Sequence, residues 1–577
     1  MIGLKDLLFY CFILFLCSTS SESYKILVYT NLFGHSHVKV MATVADALTD
    51  AGHNVTVLMP IIEQQFINKT CLKSTKNVIF VEQDDKLKAL MATRSKRFET
   101  LWTSGFNNPF VVAKKYFIQK SKLMSELFSE HCRKVMSEKK LIEQIKSENF
   151  DLAITEPFDT CAYGEMIRFF QLSMDTVLHK FTSCLVLRCF RDILRNYASP
   201  AFFEAISIRA HVAVYSCSRL DHVSEVIGQP AAPSYVPGMT SLFGEQMNIW
   251  DRFLNFYLYK ANSYAFSRIG DENYRVAKEF YPNIRSWREV VPEATFLFTN
   301  YIPYLDFPAP IFDKMIPIGG LTVKTDQKEV QLEEKWSNIL DGRKKNVLIS
   351  FGSNARSEEM PIEYKNALLK VFQSMSDTTF IWKYENPEDP FTKHLENVYL
   401  SAWLPQNELL ADPRLTLFIT HGGLASVLEL AMTAKPAIMI PVAADQTRNA
   451  QMMKRHGVAA VLKKFDLANP VKIQEVIKEV MKDSSYRDNA KRLAEILHNQ
   501  PTDPKEKLVK YVEFAARFGK LPSLDNYGRH QSFVEYFFLD IISIISFTVL
   551  VSSYIFYRLF KFVFQKCTGS SVKNKKE

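Results

Sequence analysis

The chain has 577 residues, of which 47% are hydrophobic and 23% are charged. This ordinary globular composition is ample for one large or two medium domains. Its net charge of +9 is dispersed along the chain, with one tight basic cluster at the C-terminus, which argues against a nucleic-acid-binding protein.

The N-terminal end carries a targeting signal. Residues 1–23 contain the apolar run LLFYCFILFL followed by small residues, the pattern of a cleaved secretory signal peptide. An uncleaved anchor is the alternative, but the run is short for a membrane span. We therefore expect the mature chain to begin at about residue 24.

The mature chain opens with a β-α-β unit. A buried-strand pattern at Tyr24–Thr30 is followed by apolar residues at helical spacing and by a second strand at Asn54–Pro60. Gly52 suits the position just after the helix. Amphipathic helices are predicted between residues 108 and 148, and a further strand lies within Phe150–Asp159.

Six cysteines fall in the first half of the mature chain: Cys71, Cys132, Cys161, Cys184, Cys189 and Cys217. Their spacing is not that of a zinc site or a dense disulfide framework, so disulfides are permitted and their pairing is left open. Asn68-Lys-Thr is predicted to be a glycosylation site. Asn54-Val-Thr also fits the sequon, but it opens a predicted strand, where we expect lower accessibility.

A second series of strands begins near residue 295, with helical segments between several of them. The predicted strands are TFLFTN (295–300), NVLISFGS (346–353), TTFIWKY (378–384), VYLSAWLP (398–405), LTLFITHGG (415–423) and KPAIMIPV (435–442). Such alternation favours doubly wound parallel sheets. We predict an α/β protein with two such domains, at residues 24–290 and 291–530, the second including a well-capped late helix at Asp503–Gly519.

The C-terminal end predicts one membrane span. Residues 536–557 are almost free of charge and long enough to cross a bilayer. The basic tail, residues 558–577, would then be cytosolic and the main body lumenal by the positive-inside rule. Lys573 and Lys575 match a dilysine endoplasmic-reticulum retrieval signal, for which a solvated basic tail is the alternative. We expect a single-pass type I protein of the endoplasmic-reticulum membrane.

Two polar groups follow neighbouring strands of the second series. His421–Gly423 comes directly after one strand, and Asp445–Gln446 follows the next. Ligands bind outside the carboxyl ends of parallel strands, so both groups should face one crevice. Glycines before a helix N-terminus favour a phosphate, whereas a carboxylate and an amide suit sugar hydroxyls. The ordinary interpretations are a capping box at Ser426 and Glu429, a helix cap at Asp445 and a structural histidine.

The same stretch resembles the signature of the UDP-glycosyltransferase family. In register are FITHGG (418–423), Ser426, Glu429, Pro436, Pro441 and Asp445-Gln446. WLPQNELL, SFGS, PSYVPG and GHSHVK match further landmarks, so the resemblance covers nearly the whole mature chain and includes the signal peptide and C-terminal span of animal membrane-bound members. It implies the GT-B architecture, two Rossmann-like domains facing a cleft, with the acceptor on the first and the UDP-sugar on the second.

The resemblance also implies a set of donor-binding residues. They are Trp403 at uracil, Gln406 at the base or ribose, Glu429 at the ribose hydroxyls, Ser353, His421 and Gly423 at the diphosphate, and Asp445 and Gln446 at the sugar. A helix N-terminus and a histidine can stabilise the dianionic UDP leaving group, so no metal or other cofactor is expected. The co-substrate is UDP-glucuronate or UDP-glucose, between which the sequence does not choose.

The expected general base is His37. It follows the first strand, and an imidazole can deprotonate an acceptor hydroxyl near neutral pH. By the family pattern its carboxylate partner is Glu156, where mammalian members usually have Asp. A carboxylate on the second ring nitrogen would fix the tautomer and stabilise the imidazolium. His35 lies two residues before His37 and is not the histidine expected to act as the base.

Two departures from the family pattern stand out. Ala425 occupies a position that is often Asn, which would remove one phosphate contact. Residues 165–201 lengthen the first domain relative to the family and are either an insertion or a gene-model artefact.

We therefore predict an inverting glycosyltransferase that acts on a hydroxyl or other nucleophile of a small lipophilic acceptor. The alternative is a catalytically weak or inactive UDP-sugar-binding homologue that modulates a partner. A homo-oligomer is left open.

Overall fold

The computed structural model describes residues 23–92, 100–103, 120–157, 161, 208–323 and 332–570. The predicted signal peptide apart from Ser23, the segment 165–201 and the lysines at 573, 575 and 576 lie outside the described residues. The chain divides into two compact units, one ending at Asp525 and the other beginning at Asn526.

The first sheet has seven parallel strands in the order β3-β2-β1-β4-β5-β6-β7. They are β1 Lys25–Tyr29, β2 Asn54–Pro60, β3 Asn77–Val81, β4 Leu152–Thr155, β5 His211–Tyr215, β6 Leu297–Thr299 and β7 Met315–Pro317. Residues of β1 alternate between two clusters, with Leu27 and Tyr29 in one and Ile26 and Val28 in the other. Both faces of the sheet are therefore covered, which is why this strand is apolar throughout.

The second sheet has six parallel strands in the order β10-β9-β8-β11-β12-β13. They are β8 Lys345–Ser350, β9 Thr378–Lys383, β10 Val398–Ser401, β11 Leu417–Thr420, β12 Ala437–Met439 and β13 Ala459–Val461. Each sheet starts in its middle, winds to one edge and then resumes on the other side. This is the Rossmann order, so the predicted α/β class with two doubly wound domains is confirmed.

The helices of the first unit lie between these strands and after them. They are α1 His35–Asp50, α2 Asp85–Ala92, α3 Thr100–Thr103, α4 Lys120–Ser137, α5 Lys139–Ser147, α6 Asp221–Val226, α7 Ile249–Phe280, α8 Trp287–Val290, α9 Glu334–Asp341, α10 Ile362–Ser374, α11 Gln406–Ala411, α12 Leu424–Met432, α13 Gln446–Arg455, α14 Pro470–Lys482, α15 Ser484–His498 and α16 Pro504–Phe518. Gly52 follows α1 with φ 93°, the left-handed backbone expected there.

The predicted assignment of TFLFTN to the second strand series is wrong. Strand β6 pairs in parallel with β5, and β7 pairs with β6, so the first sheet extends to Pro317 and past the predicted boundary at residue 291. The late helix α16 also packs on the first sheet, through Leu508, Val512 and Ala515. The chain thus returns to the first sheet after completing the second.

The ends of α16 agree with the sequence prediction. The side chain of Asp503 accepts a hydrogen bond from the backbone N–H of Glu506, Pro504 begins the helix, and Gly519 ends it with φ 72°. Cys132, on α4, forms a disulfide with Cys161, a pairing that the sequence had left open.

The second unit contains α17 Phe533–Tyr536 and α18 Leu539–Ser570. The stretch Leu539–Thr568 is long and apolar enough to cross a membrane, with a mean hydropathy of 2.0 and no burial within the protein. The predicted apolar C-terminal helix is confirmed, and its length and composition are compatible with a membrane span. The helix differs from the predicted bounds of 536–557, because it continues through Arg558, Lys561 and Lys566 into the predicted tail.

Candidate functional site

The candidate site lies where strand order reverses in each sheet. In the first sheet this point lies between β1 and β4, and in the second between β8 and β11. His37 follows β1 and Glu156 follows β4, while Ser353 follows β8 and His421 follows β11. The reversal of winding opens a crevice at the carboxyl ends of these strands, which is where ligands bind in such sheets.

The structure brings His37 and Glu156 together. Nδ1 of His37 lies 3.0 Å from Oε1 and 2.9 Å from Oε2 of Glu156. Both side chains are largely buried, at 28% and 11% exposure. We assign the Nδ1 hydrogen as donated to the carboxylate, so Nε2 is the nitrogen left to act as a base.

A third residue, Ser216, holds this pair and was missed by the sequence reasoning. Its Oγ lies 2.7 Å from Nδ1 of His37, and its hydroxyl and its backbone N–H both donate to Oε1 of Glu156, the latter at 3.1 Å. Ser216 comes directly after β5, the strand next to β4. Ser216 therefore obeys the rule that functional groups follow strand ends, although that position alone does not single it out in the sequence.

Burial and Glu156 act in opposite directions on the pKa of His37. Burial alone would lower the pKa of the imidazole, but the charge and hydrogen bond of Glu156 oppose it, together with the charges of Asp445 and Glu63. The net result is a raised pKa. A small cavity of about 300 Å³ adjoins the ring, lined also by Tyr29, Thr30, Asn31, Phe33, Phe128, Thr155 and Glu156.

In the second sheet, the ring of His421 is wedged between two glycines. A methyl group on Gly352 would lie 2.7 Å from the imidazole, and one on Gly423 would lie 2.6 Å from it, so larger residues would displace the ring. Burial lowers the pKa of His421 to about 4, with a further contribution from the charge of Lys383. The imidazole is therefore neutral near pH 7. Ser353 is exposed on the neighbouring loop.

Helix α12 begins at this loop without a side-chain cap. Gly423 is its N-cap residue, and no side chain bonds to the first turn. The capping-box interpretation of Ser426 and Glu429 is therefore wrong. The backbone N–H groups of the first turn remain available to an anion, and Ala425, in that turn, adds no polar group to them.

Ser426 and Glu429 instead bond to Gln406. Its Nε2 donates to Oγ of Ser426 at 3.0 Å and to Oε2 of Glu429 at 2.6 Å. The other oxygen of Glu429 accepts from Nζ of Lys39, on α1, at 3.0 Å. Trp403 is 52% exposed at the same end of the sheet. The residues expected at the uracil and the ribose thus lie together, and Lys39 joins them across the cleft to the half that contains the first sheet.

The loop after β12 holds Asp445 and Gln446. Asp445 stands at the N-cap of α13, but its side chain makes no cap; Oδ2 accepts from Nδ2 of Asn449 at 2.9 Å. Burial raises the pKa of Asp445, opposed mainly by that bond. The preceding Ala444 has φ 55°, a left-handed conformation that is costly for a residue with a Cβ and is commonest at functional sites.

Two side chains, those of Gln446 and Asn449, fix the orientation of this loop. Oε1 of Gln446 accepts from the backbone N–H groups of Val442 and Ala443, both at 2.8 Å, which leaves its Nε2 to meet a ligand. Nδ2 of Asn449 also donates to the carbonyl of Gly422 at 3.0 Å. Asn449, which sequence reasoning missed, therefore joins the His-Gly-Gly loop to the Asp-Gln loop. Its spacing of four residues from Asp445 was the available signal.

The two halves of the site meet across the cleft. Asp445 lies close enough to His37 for the charge of each to shift the pKa of the other. Beside them, Arg448 of α13 pairs with Asp306 at 2.6 Å, both 3% exposed, and donates from Nε to the carbonyl of Pro237. His37 and the Asp-Gln loop are thus placed side by side by buried contacts.

A larger open cavity of about 1070 Å³ lies where the loop after β2 faces the loop after β8. Its described lining is Ile62, Glu63, Gln64, Gln65, Phe66, Gln83, Lys88, Met91, Ala92, Ser353, Asn354, Arg356 and Glu359. This lining mixes amides and charges with apolar side chains.

Two further expectations can be placed on the structure. Asn68 is exposed, and so is Asn54 at the start of β2, contrary to the lower accessibility expected for it. Within the described ranges, no group of three or more His, Cys, Asp or Glu side chains is arranged to hold a metal ion.

Sequence comparisons match most of the chain to one family. A sequence model of the family described as UDP-glucoronosyl and UDP-glucosyl transferase matches residues 24–199 and 189–574. Human UDP-glucuronosyltransferase 1A10 is 25% identical over 571 residues, covering 98% of this chain and 96% of the human protein. UDP-glucuronosyltransferase 1A8 of Rattus norvegicus is 25% identical over 570 residues, with the same coverage of 98% and 96%.

Solved structures are similar in fold. Os79 from O. sativa, in complex with U2F and trichothecene, has a TM-score of 0.53 at 16% identity and covers 86% of this chain and 100% of its own. A UDP-glucosyltransferase from Polygonum tinctorium, in complex with 3,4-dichloroaniline, has a TM-score of 0.53 at 15% identity, with coverage of 86% and 100%. At this identity the likeness concerns architecture alone, and that architecture is the GT-B fold of two facing Rossmann-like domains.

Proposed function

We propose that this chain, which belongs to the UDP-glucoronosyl and UDP-glucosyl transferase family, is an inverting enzyme for small lipophilic acceptors. Membership makes it a UDP-glycosyltransferase, and the sugar comes from a UDP-sugar. The proposal adds the transfer of glucuronate or glucose, a hydroxyl or other nucleophile as the acceptor group, and His37 as the general base.

The single observation that carries the proposal is the pairing of His37 with Glu156. The carboxylate engages Nδ1 with both oxygens, so Nε2 carries the lone pair. Nε2 takes the proton of the acceptor hydroxyl as the oxygen attacks the anomeric carbon, and the resulting imidazolium is stabilised by the adjacent carboxylate. Attack from the side opposite the leaving group inverts the anomeric configuration.

Groups at the strand ends of the second sheet would stabilise the leaving UDP. Negative charge develops on the β-phosphate as the bond to the sugar breaks, and the free N–H groups at the start of α12 lie at the loop where we place it. His421 is neutral before the donor binds, and a phosphate beside it would favour its protonated form. Gly352 and Gly423 hold the ring between the two loops.

The sugar would lie between the Asp-Gln loop and His37. Asp445 accepts hydrogen bonds from sugar hydroxyls, and Nε2 of Gln446, whose oxygen is held by its own loop, donates to them. Trp403 would stack on uracil, with Gln406 and Glu429 at the ribose. We propose that the acceptor enters through the mixed cavity near Ser353.

The C-terminal helix supports a single-pass anchor. We propose that the enzyme resides in the endoplasmic-reticulum membrane with its catalytic part in the lumen and its basic tail in the cytosol. Lipophilic acceptors concentrate in membranes, so an anchored enzyme would meet them at high local concentration.

The decisive experiment measures UDP release from the detergent-solubilised full chain. UDP-glucuronate and UDP-glucose are offered separately with a panel of phenols, and the glycosylated product is identified by mass spectrometry. We expect His37→Ala to lower turnover by about a hundredfold or more while displacement of radiolabelled UDP is retained. UDP binding without turnover in the wild type, or equal turnover in the variant, would instead support a non-catalytic donor-binding homologue.

A further inference from the structure

Three basic side chains from the half of the molecule that contains the first sheet contact residues of the other half. The proposed function assigns those contacted residues to nucleotide binding. The ring of His35 stacks on Trp403 with centroids 5.2 Å apart and planes 12° from parallel. Nζ of Lys69 lies 4.8 Å from the centroid of the same indole. Nζ of Lys39 lies 3.0 Å from Oε1 of Glu429.

These contacts occupy the positions that a nucleotide needs. Oε1 of Glu429 accepts from Lys39 and Oε2 accepts from Gln406, so a ribose hydroxyl must either share one of these oxygens or displace the donor already bonded to it. Gln406 belongs to the same half and is also held by Ser426. Lys39 comes from the opposite half on a flexible stem and is 27% exposed, against 8% for Glu429. Lys39 is therefore the group that yields when a ribose binds.

An ammonium displaced from its carboxylate needs another anion. Lys39 and Lys69 both lie close to His35. After burial, their positive charges are the next causes of the lowered pKa of its imidazole. The diphosphate of a UDP-sugar brings about two negative charges into this cluster, and a lysine is well suited to bind phosphate as a point charge. Lys39 would therefore have a negatively charged partner both before the donor binds, in Glu429, and afterwards, in the phosphate.

From this geometry we infer that His35, Lys39 and Lys69 form a basic clamp, a donor-binding element supplied by the half of the molecule that carries the base. Lys39 bonds to Glu429 in the empty site and moves to a phosphate oxygen when the ribose takes the carboxylate. This inference rests on the proposed function, because it requires the nucleotide to bind at Trp403 and Glu429.

The clamp has a consequence for catalysis. His35 and Lys39 are four residues apart on α1, so they share one face of that helix, and His37 lies between them in the chain. A phosphate held by Lys39 would therefore also fix α1 against the second sheet. Donor binding would set the distance between the sugar and His37.

The test compares ligands with and without phosphate. Dissociation constants of uridine and UDP are measured by displacement of radiolabelled UDP from the solubilised full chain. In Lys39→Met, UDP should weaken by about tenfold or more, whereas uridine should bind equally or more tightly because its ribose no longer competes with Lys39. Lys39→Arg should keep most of the wild-type preference for UDP, and Lys76→Met, which removes an exposed charge from the same half, should change neither constant.

The outcomes separate the two proposals. An unchanged ratio of the two constants in Lys39→Met, or a parallel weakening of uridine and UDP, would overturn the clamp while leaving the proposed function intact. A wild-type chain that binds no UDP would overturn the proposed function, and the clamp with it.

Discussion

Replacing Glu156 with glutamine removes one charge from the proposed catalytic pair of His37 and Glu156 and changes little else. Glutamine has nearly the same shape, and its amide oxygen can still accept the hydrogen on Nδ1 of His37. The change therefore isolates what the carboxylate does for the imidazolium that forms when the acceptor is deprotonated.

The size of the effect follows from the geometry. The carboxylate oxygens lie 3.0 and 2.9 Å from Nδ1, and the two side chains are 28% and 11% exposed. For charge centres about 4 Å apart at an effective dielectric constant of about 20, the attraction is about 4 kcal/mol. If the transition state feels all of it, turnover falls by about a thousandfold.

The pH profile gives a second, independent readout. Glu156 is the main group that opposes the lowering of the pKa of His37 by burial, so without its charge that pKa falls. Since the base acts only when deprotonated, the acidic limb of kcat/KM should move to lower pH in Glu156→Gln while the plateau falls. Glu156→Asp keeps the charge and should leave the limb near its wild-type position, with a smaller loss of rate.

The assay is UDP release between about pH 5 and pH 9 with saturating donor, corrected for release without acceptor. Displacement of radiolabelled UDP confirms that each variant is folded. A plateau within about threefold of wild type, or a limb that does not move in Glu156→Gln, would contradict the assignment of Glu156 as the charged partner of the base.

Two further predictions concern residues outside that pair. Asn449→Ala removes the donor shared by Asp445 and Gly422, so the KM for the UDP-sugar should rise by about tenfold with little change in the KM for the acceptor; a parallel change in both would indicate a general loss of structure. Cys132→Ser opens the disulfide to Cys161, which spans 29 residues, and should destabilise the first unit by about 3–4 kcal/mol, measured as a lower thermal midpoint; free thiols at both positions in the wild type would refute this.

The placement of several candidate site residues could be predicted because parallel sheets obey a simple positional rule. His37, Glu156, Ser353 and His421 each follow a strand that the apolar pattern had marked, and the rule places such groups at the same edge of a sheet. Ser216 obeys the same rule, but no feature of its surroundings in the sequence singles it out. Its importance comes from two residues that lie 179 and 60 positions away.

The sequence by itself determined the α/β class, the two doubly wound sheets, the capped late helix and the apolar C-terminal span, because each depends on local periodicity or on a run of residues. Only the tertiary structure decided that β6 and β7 belong to the first sheet and that α16 packs against it. A strand buried on both faces has the same apolar pattern in either sheet, so the pattern cannot assign it to one. Likewise, nothing local indicates that Lys39 reaches Glu429, 390 residues away. That contact exists because the strand ends of both sheets face one cleft.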